Sequence, residues 1–259
     1  MEIFFDHIVA KQSDHSFNHT IVSATFDPQE YDTAFETGWV PDTFWYSPTS
    51  HHTERCKKSN EFVWTPCRSS RINIEKFSTN KNQRRLFKNN VTPEVVTDVD
   101  KVNPFLLYHI YRDYVDKKGF KDYYTNVSDF QENYLRNDFH YILYWLDTYL
   151  TAFCLVQPIG SNLMSYQFCW DYKDPKLSLG IYSQIYEVEY AKSLGLKNVY
   201  IGAIAEQSNS YKSKFQGFEY FDNKKWKSKD DQLEIYLSND TNADCIGDLV
   251  NMQNTYLSK

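Results

Sequence analysis

The stretch from Phe139 to Ile204 constrains the fold more than any other part of the chain. Three runs rich in aromatic and β-branched residues follow one another there, Phe139 to Leu146, Thr148 to Gln157 and Leu163 to Asp171, with turn-forming residues between them. That succession predicts an antiparallel meander. After Lys173-Asp174-Pro175 the periodicity changes. Ile181, Ile185 and Val188 recur at helical spacing, Ser178 is placed to cap the helix, and Gly195 suits a left-handed C-terminal stop. A strand from Asn198 to Ile204 follows at once. Strands, then a helix, then a strand parallel to what came before is a split arrangement, so the expected class is α/β (α+β), a mixed sheet flanked by helices.

Upstream, Asn103-Pro104 opens a helix running to about Lys117, with Leu107, Tyr108, Tyr111 and Val115 on the face that should pack on the sheet. Before it the pattern is mixed: a strand from Thr20 to Phe26, a turn at Asp27-Pro28, and a short helix from Tyr31 to Glu36 stopped by Gly38. Strands fit Thr43 to Tyr46, Glu61 to Trp64 and Arg71 to Ile74; a polar, basic helix fits Asn80 to Asn89; Thr92-Pro93 opens a more acidic connection. The shift in composition near residues 90 to 103 divides the chain into an N-terminal α/β region, 1–100, and a C-terminal domain, 101–259.

With 41% hydrophobic and 17% aromatic residues the chain can build a packed core. It has no run of about 18 apolar residues, and its start lacks the basic-then-apolar order of a secretory signal. The expectation is a cytoplasmic protein with no membrane partner. The 5 cysteines are odd in number and scattered, unlike a disulfide framework, and Cys154 and Cys169 sit in apolar runs where a small buried hydrophobe is expected. A net charge of -6 argues against sequence-blind adhesion to duplex nucleic acid. From Arg55 to Lys88, however, 10 Lys and Arg face only Glu61 and Glu75, a local excess able to hold a short single-stranded end.

Four basic residues stand out within that excess: Arg71, Lys81, Arg84 and Arg85. Charge runs are ordinarily solvated faces, but a guanidinium fork also matches a phosphate or a carboxylate through two parallel hydrogen bonds. Arg84 and Arg85 are adjacent, so only one of them can face a given ligand. Tyr211-Lys212 follows the loop from Glu206 that leaves the strand ending near Ile204. A lysine there could hold a carboxylate or stabilise an oxyanion, or be a plain surface residue. Asp171, near a strand end, and Glu187, in the helix, are the carboxylates suited to act as base or amine orienter, although Glu187 could equally face solvent. His51, His52, Cys56 and Cys67 lack the tight pairing of a zinc site, and no metal is assigned. No Ser-His-Asp or Cys-His order stands out, and direct attack of an amine on an ester requires none.

The order of elements is GNAT-like. In GNAT acetyltransferases the helix after the central strand starts on a glycine-rich turn whose N–H groups hold the coenzyme A pyrophosphate. Here that turn is Lys176-Leu177-Ser178-Leu179-Gly180, with one glycine where the cradle wants two or three, and with bulky Leu177 and Leu179 in the turn. Ser178-Leu179-Gly180-Ile181-Tyr182, then Glu187 to Leu196, then Tyr200-Ile201-Gly202, then Tyr211-Lys212-Ser213-Lys214-Phe215 with Glu219 resemble the C-terminal signature of arginyl-tRNA–protein transferases and bacterial leucyltransferases. Gly38-Trp39, Tyr46-Ser47-Pro48, and Cys67 to Ile72 with Phe77, Lys81, Gln83, Arg84, Arg85 and Asn89 resemble the N-terminal signature of the same family. The chain departs from that pattern at Val40-Pro41-Asp42-Thr43, where a basic segment is usual, and in keeping only Cys67 of the clustered cysteines. The Arg-His pair that usually follows the long helix is also missing.

The resemblance implies transfer of arginine or leucine from an aminoacyl-tRNA to the N-terminal α-amine of a protein or peptide, with an acidic residue there. The charged tRNA is the co-substrate, and no further cofactor is implied. Arg71, Lys81, Arg84, Arg85, Ser178 and Gly180 become the residues that hold substrate or tRNA, and Asp171, Glu187, Tyr211 and Lys212 the catalytic candidates. The competing readings are an acetyltransferase using acyl-CoA and a non-catalytic module that captures N-terminal residues.

Overall fold

A computed structural model of the chain describes residues 1–12, 15–42, 62–66, 68–120, 124–204 and 207–241. The expected strand from Thr43 to Tyr46, the four candidate zinc ligands and Glu206 lie outside the described residues. The strands are β1 (Glu2–Gln12), β2 (His15–Thr25), β3 (Trp39–Asp42), β4 (Val63–Pro66), β5 (Ser69–Asn73), β6 (Val91–Val96), β7 (His140–Leu146), β8 (Tyr149–Ile159), β9 (Asn162–Trp170), β10 (Asn198–Ala203), β11 (Phe218–Phe221) and β12 (Trp226–Lys227). The helices are α1 (Tyr31–Glu36), α2 (Lys81–Leu86), α3 (Pro104–Lys118), α4 (Val127–Tyr134), α5 (Leu179–Ser193) and α6 (Asp231–Thr241).

The chain divides into two units, the first made of residues 1–70, 203–214 and 218–259, the second of 71–202 and 215–217. Residues 90–103, where the composition shifts, lie inside the second unit.

In the first unit β1, β2, β4 and β3 form a sheet in that order. Trp64 is fully buried, with the rings of Phe35, Tyr31 and Phe26 at 4.9, 5.3 and 5.5 Å from its own. The helix α1 stops at Gly38, as its sequence predicts, in the left-handed conformation (φ 85°). A methyl group added there would lie 2.1 Å from the Phe221 ring, so both backbone and packing require glycine before Trp39.

In the second unit the strands run in the order β5-β10-β9-β8-β7-β6. The expected meander is present: β7 pairs antiparallel with β8, and β8 with β9. From Ala152 to Val156 every residue of β8 is wholly buried. On β8, Phe153 touches Phe130 of α4 while its neighbour Cys154 touches Glu187 of α5. Adjacent strand residues point to opposite faces, so α4 and α5 cover opposite sides of the sheet. Helix α3 packs with α4 through Tyr111 and Phe130, whose rings lie 5.1 Å apart. Its boundaries follow its sequence. The Asn103 side chain accepts the N–H groups of Phe105 and Leu106, Gly119 closes it at φ 70°, and Leu107, Tyr111 and Val115 are buried.

Two expectations need correction. Thr92-Pro93 does not open a connection but lies in β6, which pairs with β7 at the sheet edge, Pro93 standing opposite Tyr144. A missing proline N–H is tolerated on an edge strand. On α5, Ile181 is 39% exposed, while Ser183, Gln184 and Glu187 are buried with Ile185 and Val188. The helix is covered on more than one side, the Tyr182 hydroxyl donating to the Val91 carbonyl at 3.2 Å, so one apolar stripe does not describe it.

His140, at the start of β7, has Nδ1 2.8 Å from the Tyr190 hydroxyl of α5. Burial lowers its pKa below the ordinary 6.5. The unfolded chain therefore takes up the proton first as pH falls, so the stability this residue supports is complete above about pH 6.5 and lost below it. Chemical denaturation at about pH 7.5 and about pH 5.5 should show a smaller loss of stability for His140→Gln than for the native chain.

Candidate functional site

Strands β9 and β10 are parallel, yet they pair only where Asn198, Val199 and Tyr200 face Asn162, Leu163 and Met164. Beyond Met164, β9 continues to Trp170 along β8, and β10 runs on to Ala203 without a further β9 partner. The sheet opens there, and α5 begins from the chain that leaves β9.

The start of α5 is set by residues 175–178. Pro175–Leu177 form a single 3-10 turn, and Ser178 follows in the left-handed conformation (φ 49°, ψ 43°). Ser178 occupies the N-cap position expected of it but makes no side-chain capping bond; its carbonyl accepts the N–H groups of Ile181 and Tyr182 at 3.0 and 3.1 Å. Leu179 is buried. A methyl group on Gly180 would meet only the Phe168 ring, at an ordinary 3.8 Å, so packing does not demand glycine there.

The basic helix docks beside this turn. The Asn80 side chain accepts the N–H groups of Asn82 and Gln83 at 2.9 Å, and the Gln83 side chain accepts the Asn80 N–H at 2.9 Å, a reciprocal cap that starts α2 in a short segment. Just past α2, the Phe87 ring lies 5.2 Å from that of Tyr182, and the Asn89 amide donates to the Leu177 carbonyl at 3.3 Å. These contacts hold α2, on which Lys81, Arg84 and Arg85 are all exposed, against α5 near its start. Arg84 Nη1 donates to the Thr79 carbonyl at 2.5 Å.

Arg71 is not part of that exposed group. On β5 it is 7% exposed, and its Nη1 donates to the wholly buried Tyr200 hydroxyl at 3.1 Å.

The carboxylates separate as well. Glu187 does not face solvent: it is 1% exposed, and its Oε1 accepts from Ser183 Oγ at 2.6 Å and from the Cys154 thiol at 3.3 Å. Ser183 in turn accepts from the Tyr144 hydroxyl at 2.9 Å. Burial, reinforced by the charge of Glu187, pushes the Cys154 thiol well above its ordinary value, which keeps it a donor. This inward network makes Glu187 a group that fixes α5 on β8. Asp171 lies on the other face of the sheet, beside Asp113, Asp116 and Lys117 of α3. Tyr211 and Lys212 belong to the first unit, in the 3-10 segment Gln207–Lys214, where Lys212 Nζ donates to the Ala203 carbonyl at 3.0 Å.

Sequence reasoning passed over Arg68, which is 6% exposed with its guanidinium 4.3 Å from the centre of the Tyr236 ring. It also missed Tyr200 as the partner of Arg71. Both stand in quoted signature segments, so their positions carried a signal that residue type alone did not. No helix among the described residues is long and apolar enough to cross a membrane.

Residues 104–222 match the family described as "Arginine-tRNA-protein transferase, C terminus". An aspartate/glutamate leucyltransferase of Pseudomonas aeruginosa is 26% identical over 168 residues, spanning 62% of this chain and 71% of the relative. One from Acinetobacter baumannii is 24% identical over 184 residues, spanning 66% and 68%. Among solved structures, FemX superposes with a TM-score of 0.45 at 10% identity, covering 78% of this chain and 80% of that one. Scores of that size leave the fold to be read from the strand order.

Proposed function

We propose that the chain is a divergent member of the family of arginyl-tRNA–protein transferases and aspartate/glutamate leucyltransferases, and that it moves an amino acid from a charged tRNA onto the N-terminal α-amine of an acceptor protein. The neutral amine attacks the ester carbonyl; the new C–N bond forms as the ester C–O bond breaks, and the terminal ribose of the tRNA leaves as the alcohol. The amine proton ends on that leaving oxygen or on a nearby base. The ester is already activated, so the enzyme supplies alignment and oxyanion stabilisation, and the charged tRNA makes a further cofactor unnecessary.

The observation that carries this reading is the exposed basic helix α2 held against α5 near its start. A glycine-rich cradle for a nucleotide diphosphate is replaced there by Leu177, the left-handed Ser178 and the buried Leu179, while Lys81, Arg84 and Arg85 offer charge to the phosphates of an acceptor end. Arg71, oriented by Tyr200, suits recognition of a carboxylate or phosphate. On the names of the relatives the donor is leucyl- or arginyl-tRNA and the acceptor begins with an acidic residue. A cytoplasmic setting, where charged tRNA is available, goes with this reading.

Incubation with a pool of charged tRNAs and N-terminally varied peptides, followed by peptide mass measurement, tests it. A gain of one leucine or arginine residue on peptides with a free acidic N-terminus is the expected result. Peptide binding without any mass gain would replace it with a capture module.

A further inference from the structure

A concavity of about 410 Å³ lies between α3 and the chain leaving β9, on the sheet face opposite α5. Its wall carries Asp113, Asp116 and Lys117 from α3 and Asp171, Tyr172 and Lys173 from the end of β9. Three carboxylates against two lysines leave it net negative. Of the two carboxylates other than Asp171, Asp116 lies 3.8 Å from Arg112 Nη2 and Asp113 3.8 Å from His109 Nε2.

Asp171 is far more buried than these two, and its ion-pair partner is Lys173. Its side chain is 3% exposed, and Oδ1 accepts the Lys173 N–H at 3.1 Å, but Oδ2 receives no hydrogen bond from any described group. Lys173 Nζ, at 3.6 Å, is beyond hydrogen-bond reach of Oδ2. It is held elsewhere, donating to the Tyr149 hydroxyl and lying 4.1 Å from the centre of the Tyr149 ring. A buried carboxylate oxygen without a donor is costly to keep, and a donor brought from outside would relieve it.

The rest of the wall suits a cation. Tyr172 is pinned between Trp170, with ring centres 3.9 Å apart, and Tyr114, at 6.0 Å, which sets an ordered aromatic surface beside the carboxylate. Among the described residues no group of three or more His, Cys, Asp or Glu is arranged to hold a metal ion. A molecular cation with several N–H donors fits better than a metal.

We propose that this pocket seats the α-ammonium group of a peptide N-terminus on Asp171 Oδ2. The identity of the ligand rests on the aminoacyl-transfer reading, whereas the pocket itself stands on the geometry of Asp171, Lys173 and Tyr172. Asp171 is then a substrate-binding residue that orients the amine before it loses its proton.

Calorimetric titration of the full chain with an aspartyl tripeptide amide, beside its N-acetylated form, tests the assignment. The free-amine peptide should bind about tenfold or more tightly than the acetylated one, and Asp171→Asn should remove that preference. Asparagine keeps an acceptor for the Lys173 N–H, so the turn is retained. Should that variant fail to fold, 15N shift mapping on the native chain decides instead: changes should gather at residues 113–117 and 170–173. Equal binding of the two peptides, an unaltered preference in folded Asp171→Asn, or shifts elsewhere would overturn it. The two proposals fail separately. Loss of peptide binding in Asp171→Asn with no transfer by the native chain sinks only the transfer reading; transfer with an unchanged KM in Asp171→Asn sinks only the pocket.

Discussion

Replacing Lys81, Arg84 and Arg85 together by alanine is expected to lower kcat/KM for a charged tRNA by roughly one to two orders of magnitude, while leaving the fold intact. All three side chains are exposed on α2. The elements that hold this segment in place are the Asn80–Gln83 cap, the Phe87 ring and the Asn89 amide, and the substitution touches none of them. The loss should appear mainly in KM, because phosphate contacts position a ligand equally well before and during reaction. The salt dependence carries the sharper signature. Because only one of Arg84 and Arg85 can face the ligand, two lost contacts to a single-stranded end should reduce the slope of log affinity against log salt by about 1.4. An unchanged slope would mean that α2 is a solvated face with no part in tRNA binding.

Phe130→Ala is expected to destabilise the second unit by about 3–5 kcal/mol. Phe130 is wholly buried, and four rings surround it: Tyr134 at 4.7 Å, Tyr111 at 5.1 Å, Tyr108 at 5.5 Å and Phe153 at 6.4 Å. Three of these rings stand on helices and one on β8, so the site cannot collapse around the void without moving α3 or α4 off the sheet. Thermal unfolding should show a fall in Tm of roughly 10 °C. A fall of only a degree or two would mean that α4 is not part of the cooperative core. Because α3 carries one wall of the Asp171 pocket, the same variant should bind a free-amine peptide less well at temperatures where it is still folded.

The sequence made the centre of the second unit readable because local signals and burial agree there. The Asn103 cap, Pro104 and the Leu107-Tyr111-Val115 stripe specify α3, and the runs of β7, β8 and β9 are apolar enough to be strands wherever they sit. Elements whose identity depends on distant partners were harder to read. Pro93 reads as a break until β7 supplies an edge for it. The eight residues of α4 carry only the Asn126 cap and the buried Phe130 and Tyr134 as markers. Glu187 looks like a solvated helix residue, and only its place against Cys154, Ser183 and Tyr144 turns it inward.

The candidate site divides along the same line. Lys81, Arg84 and Arg85 were legible as a group because they share one short helix. Arg71 seemed to join them in sequence, yet β5 buries it against Tyr200, which lies 129 residues away along the chain. Asp171 was legible as a carboxylate near a strand end. The other wall of its pocket comes from Asp113 and Asp116 on α3, and no local pattern links those positions.

The claim on which the rest stands is that the acyl group arrives on tRNA and not on coenzyme A. A donor competition measures it directly: the full chain is given acetyl-CoA and a charged leucyl- and arginyl-tRNA mixture at equal concentration with one aspartyl peptide, and the product is weighed. The account predicts a peptide extended by a leucine or arginine residue, with no acetylated product. A peptide carrying only an acetyl group would contradict it.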